Sequence, residues 1–131
     1  MGRVRQVSQP AYLLDTHVLL WSLNNDPRLS RHHFDIIEAK ENLTISVVSL
    51  WEIAIKRSLG KLTMEEDLLG NIHRRPIRIL PINEAHAIGT AVLPLYHRDP
   101  FDRMLISQAR VEGLTILTSD RRFADYDAML A

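Results

Sequence analysis

Four short apolar runs, each followed by a stretch with helical periodicity or a turn, constrain this chain more than any other feature. They cover residues 11 to 15, 44 to 48, 77 to 80 and 114 to 117. Apolar or β-branched runs of this length suit buried strands rather than helices. When such strands alternate with helices, each crossover returns the chain to the same end of the sheet, so the strands pair in parallel and both faces are covered. The expected fold is therefore α/β, a three-layer α/β/α sandwich with a central parallel sheet.

The intervening segments carry helix signals. Thr16 to Leu23 reads as a helix stopped by Asn24-Asn25-Asp26-Pro27. A second runs from Ser30 to about Lys40, with Phe34, Ile36 and Ile37 apolar. Ser49, with Glu52 three positions on, has the capping-box pattern; it predicts a helix that starts there and stops at Gly60. A short helix is expected over residues 63 to 73, and Asn83 caps another through Ala91. Asp99 as N-cap with Pro100 at the first position opens the longest one. Its Phe101, Leu105, Ile106 and Ala109 are spaced helically before Gly113. Residues 1 to 10, polar and closed by Pro10, read as a flexible lead-in to one domain over residues 11 to 131.

Composition removes several function classes. With no cysteine there is neither a disulfide nor a thiolate zinc site. No run approaches the roughly 20 apolar residues of a membrane span. Asp15 and His17 interrupt the first apolar stretch, which is thus no signal peptide, and a cytoplasmic protein is expected. The six histidines show no metal-ligand spacing, and no glycine-rich phosphate loop is present. Sixteen basic and sixteen acidic residues cancel, so no global field draws in nucleic acid. The bases nevertheless cluster: Lys56, Arg57 and Lys61; Arg74, Arg75 and Arg78; Arg98 and Arg103 around Asp102; Arg121 and Arg122 after Asp120. Trp21 and Trp51 read as core or interface packing rather than as platforms for bases.

Four separated acids stand where the fold brings chain segments together. Asp15 and Asp120 follow apolar strands, while Glu52 and Asp102 lie about one turn into helices. The carboxyl ends of parallel strands share one sheet edge, where ligands bind. Carboxylates gathered in a partly dry cleft repel one another unless a cation holds them, and oxygen-only ligands suit Mg²⁺ or Mn²⁺. Each acid also has a structural alternative. Asp15 can cap the helix that follows it, Glu52 can complete the capping box, and Asp120 can be a turn residue. Asp99 suits the cap better than the metal, with a place beside the site. Thr118 and Ser119 are placed to hydrogen-bond a ligating carboxylate or its water.

Leu13-Leu14-Asp15-Thr16-His17, Ser49-Leu50-Trp51-Glu52-Ile53, His97-Arg98-Asp99-Pro100-Phe101-Asp102-Arg103 and Leu117-Thr118-Ser119-Asp120 resemble, in order, the motifs of PIN-domain ribonucleases. The likeness is to the VapC-type toxins of toxin–antitoxin modules, over about residues 11 to 126. It implies the same sandwich fold and a shared acidic pocket. Asp15, Glu52, Asp102 and Asp120 become the catalytic metal-binding acids, with Asp99 close by. It also implies Mg²⁺- or Mn²⁺-dependent RNA cleavage, a homodimer, and a small antitoxin protein packing over the pocket. Lys56, Arg103 and Arg121 are candidates for gripping the flanking phosphates of the RNA. The short tail after Asp120 leaves room for only a brief last edge strand.

Two other readings compete. A Mg²⁺-dependent phosphatase of the haloacid-dehalogenase type needs a second aspartate two residues after the first, and that position is His17. A non-catalytic PIN-like module binding RNA or protein would be expected to lack some of the acids.

Overall fold

A computed structural model of the chain describes residues 10–62, 67–95 and 99–131. The expected lead-in, apart from Pro10, lies outside the described residues. So do the first residues of the helix expected from position 63, together with His97 and Arg98. The strands are β1 (Tyr12–Leu14), β2 (Leu43–Ser46), β3 (Ile77–Leu80), β4 (Thr115–Leu117) and β5 (Met129–Leu130). They form one sheet in the order β3-β2-β1-β4-β5, and every adjacent pair is parallel. The helices are α1 (Thr16–Leu23), α2 (Arg31–Glu38), α3 (Val47–Ser58), α4 (Leu68–His73), α5 (Glu84–Gly89) and α6 (Pro100–Glu112). Short 3₁₀ helices span Thr90–Val92 and Arg121–Asp125.

The strand alternation sorts the core into two layers. Successive strand side chains point to opposite faces, and Leu13 and Leu14 accordingly enter different clusters. Leu13 and Ile116 pack with Leu105, Ile106 and Ala109 of α6 and with Phe123 and Tyr126. Leu14, Leu43, Ile45 and Leu117 pack on the other face with Val18, Leu19, Ile37, Ile53 and Ile72 of α1 to α4. Helices on both faces of a parallel sheet make the expected α/β/α sandwich. No helix among the described residues is long and apolar enough to cross a membrane.

One boundary differs in a way that bears on the site. β2 ends at Ser46, and α3 begins at Val47, not after Ser49. Ser46 is the N-cap: its Oγ accepts from Val48 N at 2.9 Å and donates to Gln108 Oε1 of α6 at 2.6 Å. Val47 and Val48 are β-branched and read as strand, yet the serine before them supplies a cap that lets the chain turn at once into helix. Ser49 is buried inside that helix. The Ser49–Glu52 capping box therefore does not form, and Glu52 falls in the second turn of α3. The other stops fall as expected. Gly60 and Gly113 follow α3 and α6 with φ of +70°, the left-handed conformation that favours glycine.

Candidate active site

The strand order reverses at β1: β2 and β3 lie on one side of it, β4 and β5 on the other. This is the switch point where the crossovers diverge, the place at the carboxyl ends of the strands where open α/β sheets bind ligands. The chain leaves β1 at Asp15 and β4 at Thr118, and Asp15 N donates to Leu117 O at 3.0 Å. Asp15 is buried, with 4% of its surface exposed. Its Oδ1 accepts from Val18 N at 2.8 Å, capping α1, and its Oδ2 accepts from the Thr118 hydroxyl at 2.5 Å. Burial raises its pKa; the Thr118 and Val18 hydrogen bonds and the nearby His17 oppose that rise.

The Thr118 hydroxyl also accepts from Asp120 N at 3.0 Å, so one threonine joins two of the acids. Asp120 caps the 3₁₀ helix through Arg122 N at 2.9 Å. Its carboxylate takes the Arg122 guanidinium at 3.1 Å to Nε and 2.9 Å to Nη2. Ser119 is exposed.

Glu52 reaches the same edge from α3 and is buried, 4% exposed. The Thr16 hydroxyl, in the first turn of α1, donates to Glu52 Oε1 at 2.7 Å and lies 2.9 Å from Ser49 Oγ. Lys56 Nζ, one turn further along α3, sits 3.0 Å from Glu52 Oε2. Asp99 caps α6 through Phe101 N at 2.8 Å and Asp102 N at 3.3 Å, which sets Asp102 in the first turn. The Asp102 carboxyl is pushed up to about 7: burial contributes most, followed by the charges of Asp99, Glu52, Asp15 and Asp120. Four other acids are thus close enough for their charge to reach Asp102.

Burial and the charge of the acids around it disfavour ionisation of Asp102 until positive charge arrives. The donors here are all carboxylate oxygens, the ligands of hard divalent cations rather than of zinc or copper. Among the described residues no three carboxylate or imidazole groups already form a closed ligand cluster. Glu52 Oε2 faces Lys56 and the Asp120 carboxylate faces Arg122, contacts that leave each carboxylate lone pairs for an ion.

The three basic residues expected beside RNA have different surroundings. The Arg103 guanidinium donates to Pro94 O at 2.7 Å, Thr90 O at 2.9 Å and Leu93 O at 3.1 Å, tying α6 to the 3₁₀ helix before it. Lys56 faces Glu52, and Arg121 is exposed. Two features escaped the sequence. The role of Thr16 as the holder of Glu52 had one available signal, its place directly after Asp15. Trp51 is not core: it is 56% exposed and meets Phe101 edge to face, with ring centres 5.2 Å apart.

A parallel sheet covered on both faces, with acids converging where its strand order reverses, defines an α/β/α protein with an acidic site at the carboxyl edge. The chain belongs to the PIN domain family, whose profile matches residues 12–129. It is 28% identical over 119 residues to Ribonuclease VapC22 of Mycobacterium tuberculosis, a match covering 87% of this chain and 90% of that protein. The fold is similar to that in VapBC2 from Rickettsia felis bound to a promoter DNA fragment, with a TM-score of 0.70 at 19% identity, covering 92% of this chain and 97% of the other. It is also similar to FitAcB from Neisseria gonorrhoeae, with a TM-score of 0.64 at 21% identity, covering 91% and 95%.

Proposed function

We propose that this chain is a metal-dependent endoribonuclease of the VapC type, the toxin of a toxin–antitoxin pair, acting as a homodimer held in check by a small antitoxin. The observation that carries the reading is the crowding of Asp15, Glu52, Asp99 and Asp120 around Asp102 at the switch point of a PIN-family sheet. The printed names of the similar proteins support it: one is a ribonuclease, and several solved structures are VapBC or FitAB assemblies.

Asp15 and Asp102 would hold Mg²⁺ or Mn²⁺ with Glu52 and Asp120, while Thr118 and Thr16 fix the orientation of Asp15 and Glu52. Bound there, the ion would lower the pKa of a water and offset the negative charge that builds on the phosphodiester. Asp99 keeps the α6 helix start, and with it Asp102, facing the cleft. Lys56 and Arg122, beside Glu52 and Asp120, would face the phosphates of the bound RNA. Hydrolysis by water leaves 5′-phosphate and 3′-hydroxyl ends and does not use the RNA 2′-hydroxyl.

The test is cleavage of total RNA by the purified protein with Mg²⁺ or Mn²⁺, with EDTA, and by Asp15→Ala. Discrete fragments that vanish in EDTA and in the variant are expected. Cleavage that survives both would overturn the assignment of the site.

A further inference from the structure

We propose that Trp51 is a stacking platform for a base of single-stranded RNA next to the phosphate that is cut. The inference rests on the ribonuclease reading above and names how that site holds its substrate.

Three observations carry it. Trp51 is bonded to Glu52 in α3 and Phe101 to Asp102 in α6, so the aromatic pair bridges the two helices that carry these acids. Glu52 is 4% exposed and Trp51 56% exposed, so the first points into the fold and the second to the surface of α3. The rings meet at 75° with centres 5.2 Å apart, an edge-to-face contact that leaves at least one indole face clear of Phe101. Phe101 is itself half-buried and packs against the cluster around α6, so it anchors the indole from below. An indole held in one orientation loses little side-chain freedom on contact and offers a flat apolar face to whatever enters the cleft.

The chemistry of the neighbours favours a base over other occupants. A phosphodiester held between Glu52 and Asp102 would lie where α3 and α6 meet, and the Trp51–Phe101 contact joins these same two helices. Stacking on exposed aromatic rings is the common way in which proteins hold unpaired RNA. It is tolerant of sequence, because every base has a flat face.

The chain has two tryptophans, which supplies a direct readout. Trp21→Phe leaves Trp51 as the sole indole. A short single-stranded oligoribonucleotide is titrated into Trp21→Phe in EDTA, so that binding is seen without cutting, and emission is followed. Cleavage in Mn²⁺ is measured in parallel for Trp51→Phe and Trp51→Leu.

Saturable quenching of Trp51 is expected. Oligonucleotide affinity, read from an end label, should fall about tenfold or more in Trp51→Leu, the scale of one lost stack. Trp51→Phe should recover most of it, because phenylalanine keeps a π face that leucine lacks, and the change should fall on KM rather than kcat. If Trp21→Phe binds and cuts RNA with no change in emission, the platform is wrong and the ribonuclease reading stands. Equal activity of the leucine and phenylalanine variants would also overturn it, since only apolar area would then matter. Emission that changes with protein concentration alone would assign the ring to contact with a second copy. If no single-stranded RNA is bound or cut by any form, the ribonuclease reading itself fails.

Discussion

The hydroxyl of Thr16 donates to Glu52 Oε1 at 2.7 Å, tying the first turn of α1 to the second turn of α3. Glu52 is a buried carboxylate whose other oxygen faces Lys56. Thr16→Val keeps the shape and removes the donor, leaving a buried acceptor short of a partner. A loss of about 1–3 kcal/mol is expected in urea unfolding, with reduced RNA cleavage. Thr16→Ser should restore both. Full activity in the valine variant would show that the orientation of Glu52 does not matter.

Stability in the absence of divalent ions should depend on pH in a defined direction. The folded-state pKa of Asp102 is about 7 against 3.8 for an unperturbed aspartate, with burial first among its causes. Between those values the folded chain holds a proton that the unfolded chain has released, so folding stability falls as pH rises. The stabilisation is whole below about pH 4 and gone above about pH 7. Thermal melts in EDTA should therefore show the midpoint dropping through this window. Asp102→Asn should flatten the slope and melt a few degrees higher near pH 8. The burial-raised carboxyl of Asp15 leaves a residual slope of the same sign. A wild-type midpoint that rises across the window contradicts the crowding of the acids.

Asp15 and Asp102 should separate when each is replaced by alanine. Both variants should lose cleavage. Asp15→Ala also removes the cap on Val18 N and the partner of the Thr118 hydroxyl, a cost of about 1 kcal/mol or more. Relief of charge repulsion offsets part of that cost. Asp102→Ala relieves the repulsion that Asp99, Glu52, Asp15 and Asp120 exert on it and should be less destabilised than Asp15→Ala without metal. Unfolding curves in EDTA compare the two; equal destabilisation would mean that Asp102 has a structural role missed here.

Arg103 should matter for folding more than for RNA. Its guanidinium satisfies the carbonyls of Thr90, Leu93 and Pro94. Arg103→Ala should destabilise by about 1.5–3 kcal/mol, the range for hydrogen bonds to a charged group. The salt dependence of RNA binding should stay unchanged, since no phosphate contact is lost. A shallower salt slope would return Arg103 to the RNA path.

The parts of this fold that depend on local chemistry were legible in the sequence. The strands appear within a few residues of the apolar runs, because a short buried run has few other ways to hide its backbone. Asp99-Pro100 and Gly113 mark the ends of α6 as their conformational preferences require. Ser46 was not legible as a cap, because two serines three residues apart flank Val47-Val48 and only tertiary contact with Gln108 decides between them. That misreading had supplied the structural alternative for Glu52. The carbonyls that claim Arg103, and the exposure of Trp51, were equally out of reach. Both depend on how α6 lies against its neighbours, which a one-dimensional pattern does not encode.

The acids are drawn from positions 15, 52, 102 and 120, and the last of these follows β4, which pairs directly with β1 at the middle of the sheet. No contiguous stretch of the chain contains the pocket. During synthesis, Asp15 waits for residues a hundred positions behind it, and the cleft closes only when β4 has slotted in beside β1. A nascent or truncated chain that stops short of that strand carries three of the four acids and has no pocket. For the proposed site the order of the strands would thus act as a timer, withholding it until β4 and Asp120 have been translated.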